Sequence, residues 1–176
     1  MAVPAKVCER SLPGGALKRL MPERGERFRE RSAYGFAVEG GSRDVVRGQG
    51  PGQCLLTGGD VSIGVAYWYL QGGDYTRDDV ERDLRKSGRA RLTLGDAGGT
   101  LDGPGAHLFV DCPLGKRRDE LLEISAGGGG GGADLGDRAV RESAAAFAAD
   151  AARHVAQDLW RCPGAQNLPS GPPRIG

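Results

Sequence analysis

The sequence predicts an α+β fold: a mostly antiparallel sheet of five or six strands, with a short N-terminal helix and a long C-terminal helix packed on one face. Three observations predict it. Several segments alternate apolar and polar residues with the period of a half-buried strand. Two of the connections between such segments read as hairpins. The last long segment repeats its apolar residues at steps of three and four, the spacing of one helix face.

Taken in order, Ser11, Pro13 and the apolar set Ala16, Leu17, Leu20 and Met21 predict a helix over residues 12–21, ended by Pro22 and Gly25. Phe28, Tyr34, Phe36 and Val38 are in phase for a strand over 27–38. A polar, Gly-rich loop over 40–52 follows. Segments 53–57 and 61–70 flank Gly58-Gly59-Asp60, a three-residue hairpin turn. In the second of these strands Val61, Ile63, Val65, Tyr67 and Tyr69 share one face, and Ser62, Gly64, Ala66 and Trp68 share the other. Thr76 and Asp79 form a capping box that opens a charged helix to Lys86. Only its Val80 and Leu84 face inward, so it lies on the surface. A strand over 89–94 and a Gly-rich loop over 95–105 come next. Segments 106–112 and 120–126 make a second antiparallel pair. Asp137 or Ser143 opens the final helix, which runs to about Trp160 and is stopped by Pro163. One domain is expected over residues 1–166, with a disordered Pro-rich tail over 167–176.

Composition excludes several function classes. Glycine is 31 of 176 residues, which fits long loops. The 24 basic residues nearly cancel the 23 acidic ones, so the chain lacks the cationic excess of a nucleic-acid binder. No apolar run reaches the roughly 18 residues of a membrane span. The alternating charges of Glu23 to Arg31 read as a solvated strand edge that blocks edge-to-edge pairing.

No cofactor, metal or catalytic constellation emerges. The hexaglycine of residues 127–132 satisfies a dinucleotide fingerprint only formally: the following helix runs into Cys162-Pro163, leaving no room for the second parallel strand. A phosphate loop fails as well, because Gly136 is followed by Asp137-Arg138. The run is therefore expected to be a flexible linker. His107 and Cys112 fall on opposite faces of a strand, and His154 and Cys162 are about 12 Å apart along a helix, so neither pair chelates one ion. His154 has Asp150 and Asp158 at helical spacing, which reads as surface charge pairing, since Ser143 is about 16 Å away along the same helix. His107, Phe109 and Trp68 are the candidate partner surface, although Trp68 is expected rather to pack under the final helix.

The four cysteines show no Cys-x-x-Cys spacing. Ala106, Leu108, Val110 and Cys112 share one strand face, and Val140, Ala144, Phe147, Ala151, Val155, Leu159 and Cys162 form one helix stripe. A strand packed on that helix pairs Cys112 with Cys162 and leaves Cys8 for Cys54. Four buried reduced cysteines in a cytosolic chain are the alternative. Disulfides imply an oxidising compartment. Residues 1–7 carry neither the charged nor the apolar region of a secretory signal, so the expectation is an ectodomain cut from a longer precursor, or a start misplaced at Met1.

The layout of Cys8 before a short Leu/Pro/Gly helix, Cys54 opening a hairpin, Cys112-Pro113 ending a later strand, and an Ala-rich helix ending at Cys162 before Leu168-Pro169 resembles small two-disulfide ectodomains, secreted or membrane-anchored and lipoprotein-like, of Streptomyces-type actinobacteria. That resemblance spans about residues 7–169. It implies a cell-envelope location and two disulfides, and brings no catalytic residues with it. The functional expectation is a non-catalytic extracytoplasmic binding or structural domain, its partner an envelope protein or cell-wall component. The alternative is a small envelope hydrolase or ligand-binding enzyme using His107 or His154 with a neighbouring carboxylate.

Overall fold

The computed structural model describes residues 3–21, 28–33, 52–70, 75–114, 119–129 and 137–176. A small hairpin of β1 (Lys6–Val7) and β2 (Leu12–Pro13) leads into the single-turn helix α1 (Leu17–Leu20). The main sheet contains β3 (Arg29–Ala33), β4 (Gly52–Gly58), β5 (Val61–Leu70), β6 (Ala90–Leu94), β7 (Ala97–Asp102), β8 (Gly105–Asp111), β9 (Leu121–Gly129) and β10 (Arg174–Ile175). Helix α2 (Arg77–Lys86) connects β5 to β6. Helix α3 (Arg138–Arg153) continues into a π-helical turn, His154–Leu159. The strand order is β10-β6-β7-β8-β9-β5-β4-β3, with every pairing antiparallel.

Alternation produces the two faces of this sheet. Val61, Ile63, Val65, Tyr67, Leu92, Leu94, Leu101, Ala106, Leu108, Val110, Leu122 and Ile124 are all buried toward one side. There α3 packs against β8 and β9. The helix offers mostly alanine, with Phe147 as its one large buried side chain, so it seats close to the sheet. Tyr69 stacks on Trp160 at 4.7 Å between ring centroids, closing the core where the π-helical turn ends. Cys112 lies at the end of β8 and Cys162 just beyond that turn. They form one disulfide, with Cα atoms 4.7 Å apart. Cys8 and Cys54 form the other at 5.6 Å, tying the N-terminal hairpin to β4. All four sulfurs belong to buried residues.

The structure departs from the expectations in several places. The main sheet has eight strands rather than five or six. The extra strands come from stretches read as loop or tail. Residues 97–102 of the expected Gly-rich loop are β7, because Gly95 and Gly103, both with left-handed φ, allow turns of two residues on either side. Gly127, Gly128 and Gly129 are not linker but the end of β9, paired with β5. A side chain at Gly128 would overlap the carbonyl oxygen of Ser62. Residues 167–176, expected to be a disordered tail, run back along the sheet. Arg153 donates to the carbonyls of Pro169 (2.8 Å) and Gly171 (3.1 Å), and β10 pairs with β6.

The other departures are local. The N-terminal helix shrinks to one turn because Leu12, fully buried, is needed opposite Val7 in the hairpin. The first sheet hairpin turns through two residues, Gly59 and Asp60, since Gly58 pairs with Val61. The hairpin loop at Cys8, Glu9 and Arg10 has left-handed φ at three successive non-glycine residues. Cys8 and Glu9 donate their N–H groups from it to the Glu30 carboxylate at 2.9 and 2.5 Å. The stretch 34–38 of the expected 27–38 strand lies outside the described residues. Among the described residues, no helix is long and apolar enough to cross a membrane.

Candidate functional site

The face of the sheet away from α3 carries the side chains that alternate with the core. Register places Phe109 of β8 opposite Glu123 of β9, which is opposite Trp68 of β5. The next row is Thr100 of β7, His107, Ser125 and Ala66. Trp68 therefore lies on the far side of the sheet from the final helix, not under it. The physical reason is the strict period of β5: burying Val65 and Tyr67 in the core turns Trp68 to the opposite face.

Helix α2 covers part of this outer face. Its capping box is formed as the sequence predicts, with Thr76 Oγ1 accepting from Asp79 N and Asp79 Oδ2 accepting from Thr76 N. Val80 packs with Phe109 and Leu121 in a small second core, flanked by Leu70, Tyr75 and Leu84. Two arginines pin the helix down. Arg77 donates to Asp111 at 2.7 and 3.0 Å, and Arg91 donates to both oxygens of Glu81 at 2.8 and 2.9 Å.

Between α2 and the sheet remains a cleft of about 270 Å³. Tyr75 and Phe109 line it as a tilted aromatic pair, 5.9 Å between centroids. The Tyr75 hydroxyl donates to Asp83 at 2.8 Å. Burial first, then that bond and the charges of Asp83, Glu123 and Asp79, push the phenol up to about 12. His107 Nδ1 lies 3.4 Å from Glu123 Oε1, with both side chains partly exposed. Thr100 is only 8% exposed and lines the cleft; among the described residues no buried side-chain oxygen or nitrogen lacks a hydrogen-bond partner. Arg89, also in the lining, is ion-paired with Asp102 at 3.3 Å.

The residues singled out from sequence thus divide. Trp68, His107 and Phe109 come together on the outer face of three neighbouring strands. His154 is elsewhere, on the π-helical turn, with Nδ1 2.9 Å from Asp158 Oδ2. Its other neighbour, Asp150, is engaged by Arg153 at 2.5 Å, and Ser143 Oγ is spent on the Ala139 carbonyl at 2.7 Å. Tyr75, Asp83, Thr100 and Glu123 were not singled out. The antiparallel pairing of 120–126 with 106–112 is expected from sequence, but the register between them is not, so nothing local puts Glu123 beside His107.

A larger groove, about 620 Å³, runs between α1, α3 and the C-terminal segment. Its two carboxylates are already neutralised, Glu142 by Arg138 at 2.6 Å and Asp150 by Arg153. In the smaller cleft Asp83 accepts from the Tyr75 hydroxyl and Glu123 faces His107, beside an aromatic pair, and it is the better candidate. Among the described residues, no three His, Cys, Asp or Glu side chains are grouped to hold a metal ion. No family model, curated protein or solved structure matches the chain.

Proposed function

We propose that this is a non-catalytic extracytoplasmic binding domain that docks a cell-wall component or an envelope protein on the outer face of its sheet. The observation that carries the reading is the cleft beside α2. Partly exposed Trp68, the Tyr75–Phe109 pair and the His107–Glu123 pair meet on an antiparallel platform, with polar groups among aromatic surface. The two disulfides support that compartment, since such bonds persist where thiols are not kept reduced. The resemblance of the layout to secreted or membrane-anchored actinobacterial ectodomains supports the same location.

The test is co-sedimentation with purified cell-wall sacculi and with washed envelope membranes. Retention of the wild type, reduced at least tenfold in Trp68→Ala or His107→Ala, is the expected result. No retention on either fraction, or equal retention of wild type and both variants, rejects the reading.

One observation favours a second reading, a small hydrolase. His107 has Glu123 on its Nδ1 side, and Thr100 is its register partner on the neighbouring strand. No hydroxyl is hydrogen-bonded to His107 among the described residues, which is why binding is placed first. A fluorophosphonate probe distinguishes the two. Labelling of the Thr100 peptide that disappears in His107→Ala supports the hydrolase; an unlabelled wild type removes it.

A further inference from the structure

We infer that Glu30 guards the Cys8–Cys54 disulfide: its carboxylate holds the strained loop that carries Cys8, and without that grip this one cross-link becomes open to reduction in the folded protein.

Cys8, Glu9 and Arg10 have φ of 54°, 58° and 64°. Left-handed backbone is costly for a residue with a Cβ, and it normally occurs one residue at a time. A loop of three such residues persists only where its surroundings over-determine it. Two ties do so here. One is covalent, from Cys8 to Cys54 of β4. The other is the Glu30 carboxylate of β3, the strand beside β4. One of its oxygens accepts from the Cys8 N–H at 2.9 Å and the other from the Glu9 N–H at 2.5 Å, the stronger, charge-assisted kind of bond. Ser32, the register partner of Cys54, places its hydroxyl 3.4 Å from the same carboxylate. The Ser11 N–H closes the loop onto the Cys8 carbonyl at 3.1 Å.

The two ties act on the same residues, so they are coupled. Cys8 and Cys54 are buried, and a reductant reaches their sulfurs only when the loop opens. Opening breaks both bonds to Glu30 and lets three residues return to ordinary φ. The carboxylate opposes that opening, and the strain drives it. A glutamine at this position keeps the shape but turns an N–H donor toward one of the two loop N–H groups, so the strain is left unopposed. Glu30 is itself exposed, and replacing it removes nothing from the core. Cys112–Cys162 joins other elements and serves as the internal control.

The reductant in the test is a dithiol. One of its thiolates attacks a cystine sulfur and the S–S bond breaks. Its second thiol then releases the mixed disulfide, so the reagent leaves as a cyclic disulfide and Cys8 and Cys54 each gain one hydrogen.

The experiment treats the folded full chain with dithiothreitol at a raised temperature below its melting transition, alkylates the free thiols and follows each disulfide by peptide mass. Glu30→Gln should lose Cys8–Cys54 at least tenfold faster than the wild type, with Cys112–Cys162 retained. Arg10→Gly puts at φ 64° a residue that adopts left-handed backbone freely. Added to Glu30→Gln, it should slow the loss at least threefold, a rescue that follows only if Glu30 acts by offsetting the strain. Arg10→Gly alone should also slow reduction of the wild-type bond, an arm that stands even where Glu30→Gln does not fold. Equal rates in wild type and Glu30→Gln, loss of both disulfides together in that variant, or no slowing by Arg10→Gly overturn the inference.

Discussion

Asp79 shows how one residue fixes an element. The Thr76 hydroxyl first, then the Thr76 N–H and Arg82, hold its carboxyl down at about 2, against an ordinary 3.8. A lowered folded value means that the cap stabilises fully above about pH 4 and is lost as pH falls toward 2. Acid titration followed at the α2 amides should show fraying in that window. Thr76→Ala should cost about 1 kcal/mol in chemical denaturation and return the Asp79 midpoint toward its ordinary value. Tyr75 has the opposite sign. Its phenol is raised to about 12, so its contribution is present below pH 10 and disappears as pH rises through 12. Asp83→Asn removes one bond and one charge, and spectrophotometric titration near 295 nm should then find Tyr75 ionising at lower pH.

At the scale of elements, the glycines decide where strands lie. Gly99 and Gly128 sit where a side chain would overlap the carbonyls of His107 and Ser62, so β7 meets β8 and β9 meets β5 more closely than any other residue allows. Gly128→Ala should therefore destabilise by about 1–3 kcal/mol, whereas Gly171→Ala, with open space around it, should change stability by less than about 0.5 kcal/mol. Denaturation midpoints of the two variants check this. Gly127, Gly128 and Gly129, the start of a run that reads as a flexible linker, show why such a reading fails: glycine signals backbone freedom in sequence, but at these three it signals closeness of chains, which only the neighbours reveal. Alternation within β5 and β8 was legible because neighbouring residues alone set it. The same holds for the stripe on α3, where Val140, Ala144, Phe147, Ala151 and Val155 are all buried.

Across the whole molecule, two cross-links hold opposite ends of the chain to the sheet. Their separations of 46 and 50 residues place each near 4 kcal/mol in the chain-entropy model, an upper-end figure. Cys112→Ser with Cys162→Ser should lower unfolding free energy by up to about that amount, and Cys8→Ser with Cys54→Ser should loosen the N-terminal hairpin selectively, seen as faster amide exchange at Val7 and Leu12. Since all four cysteines are buried, reductant should add no hydrogens in native buffer and four in denaturant, which intact mass reads directly.

Local sequence carried the core faces of β5 and β8, the capped surface helix and the match of Cys112 with Cys162 that leaves Cys8 for Cys54, because strand alternation, helix stripes and caps are set by residues a few positions apart. The tertiary structure alone decided that β9 inserts between β8 and β5, and that α2 crosses the outer face to leave a cleft holding Thr100, His107 and Glu123. That outcome rests on registers between strands far apart in the chain, and a shift of one residue would turn every one of those side chains to the other face.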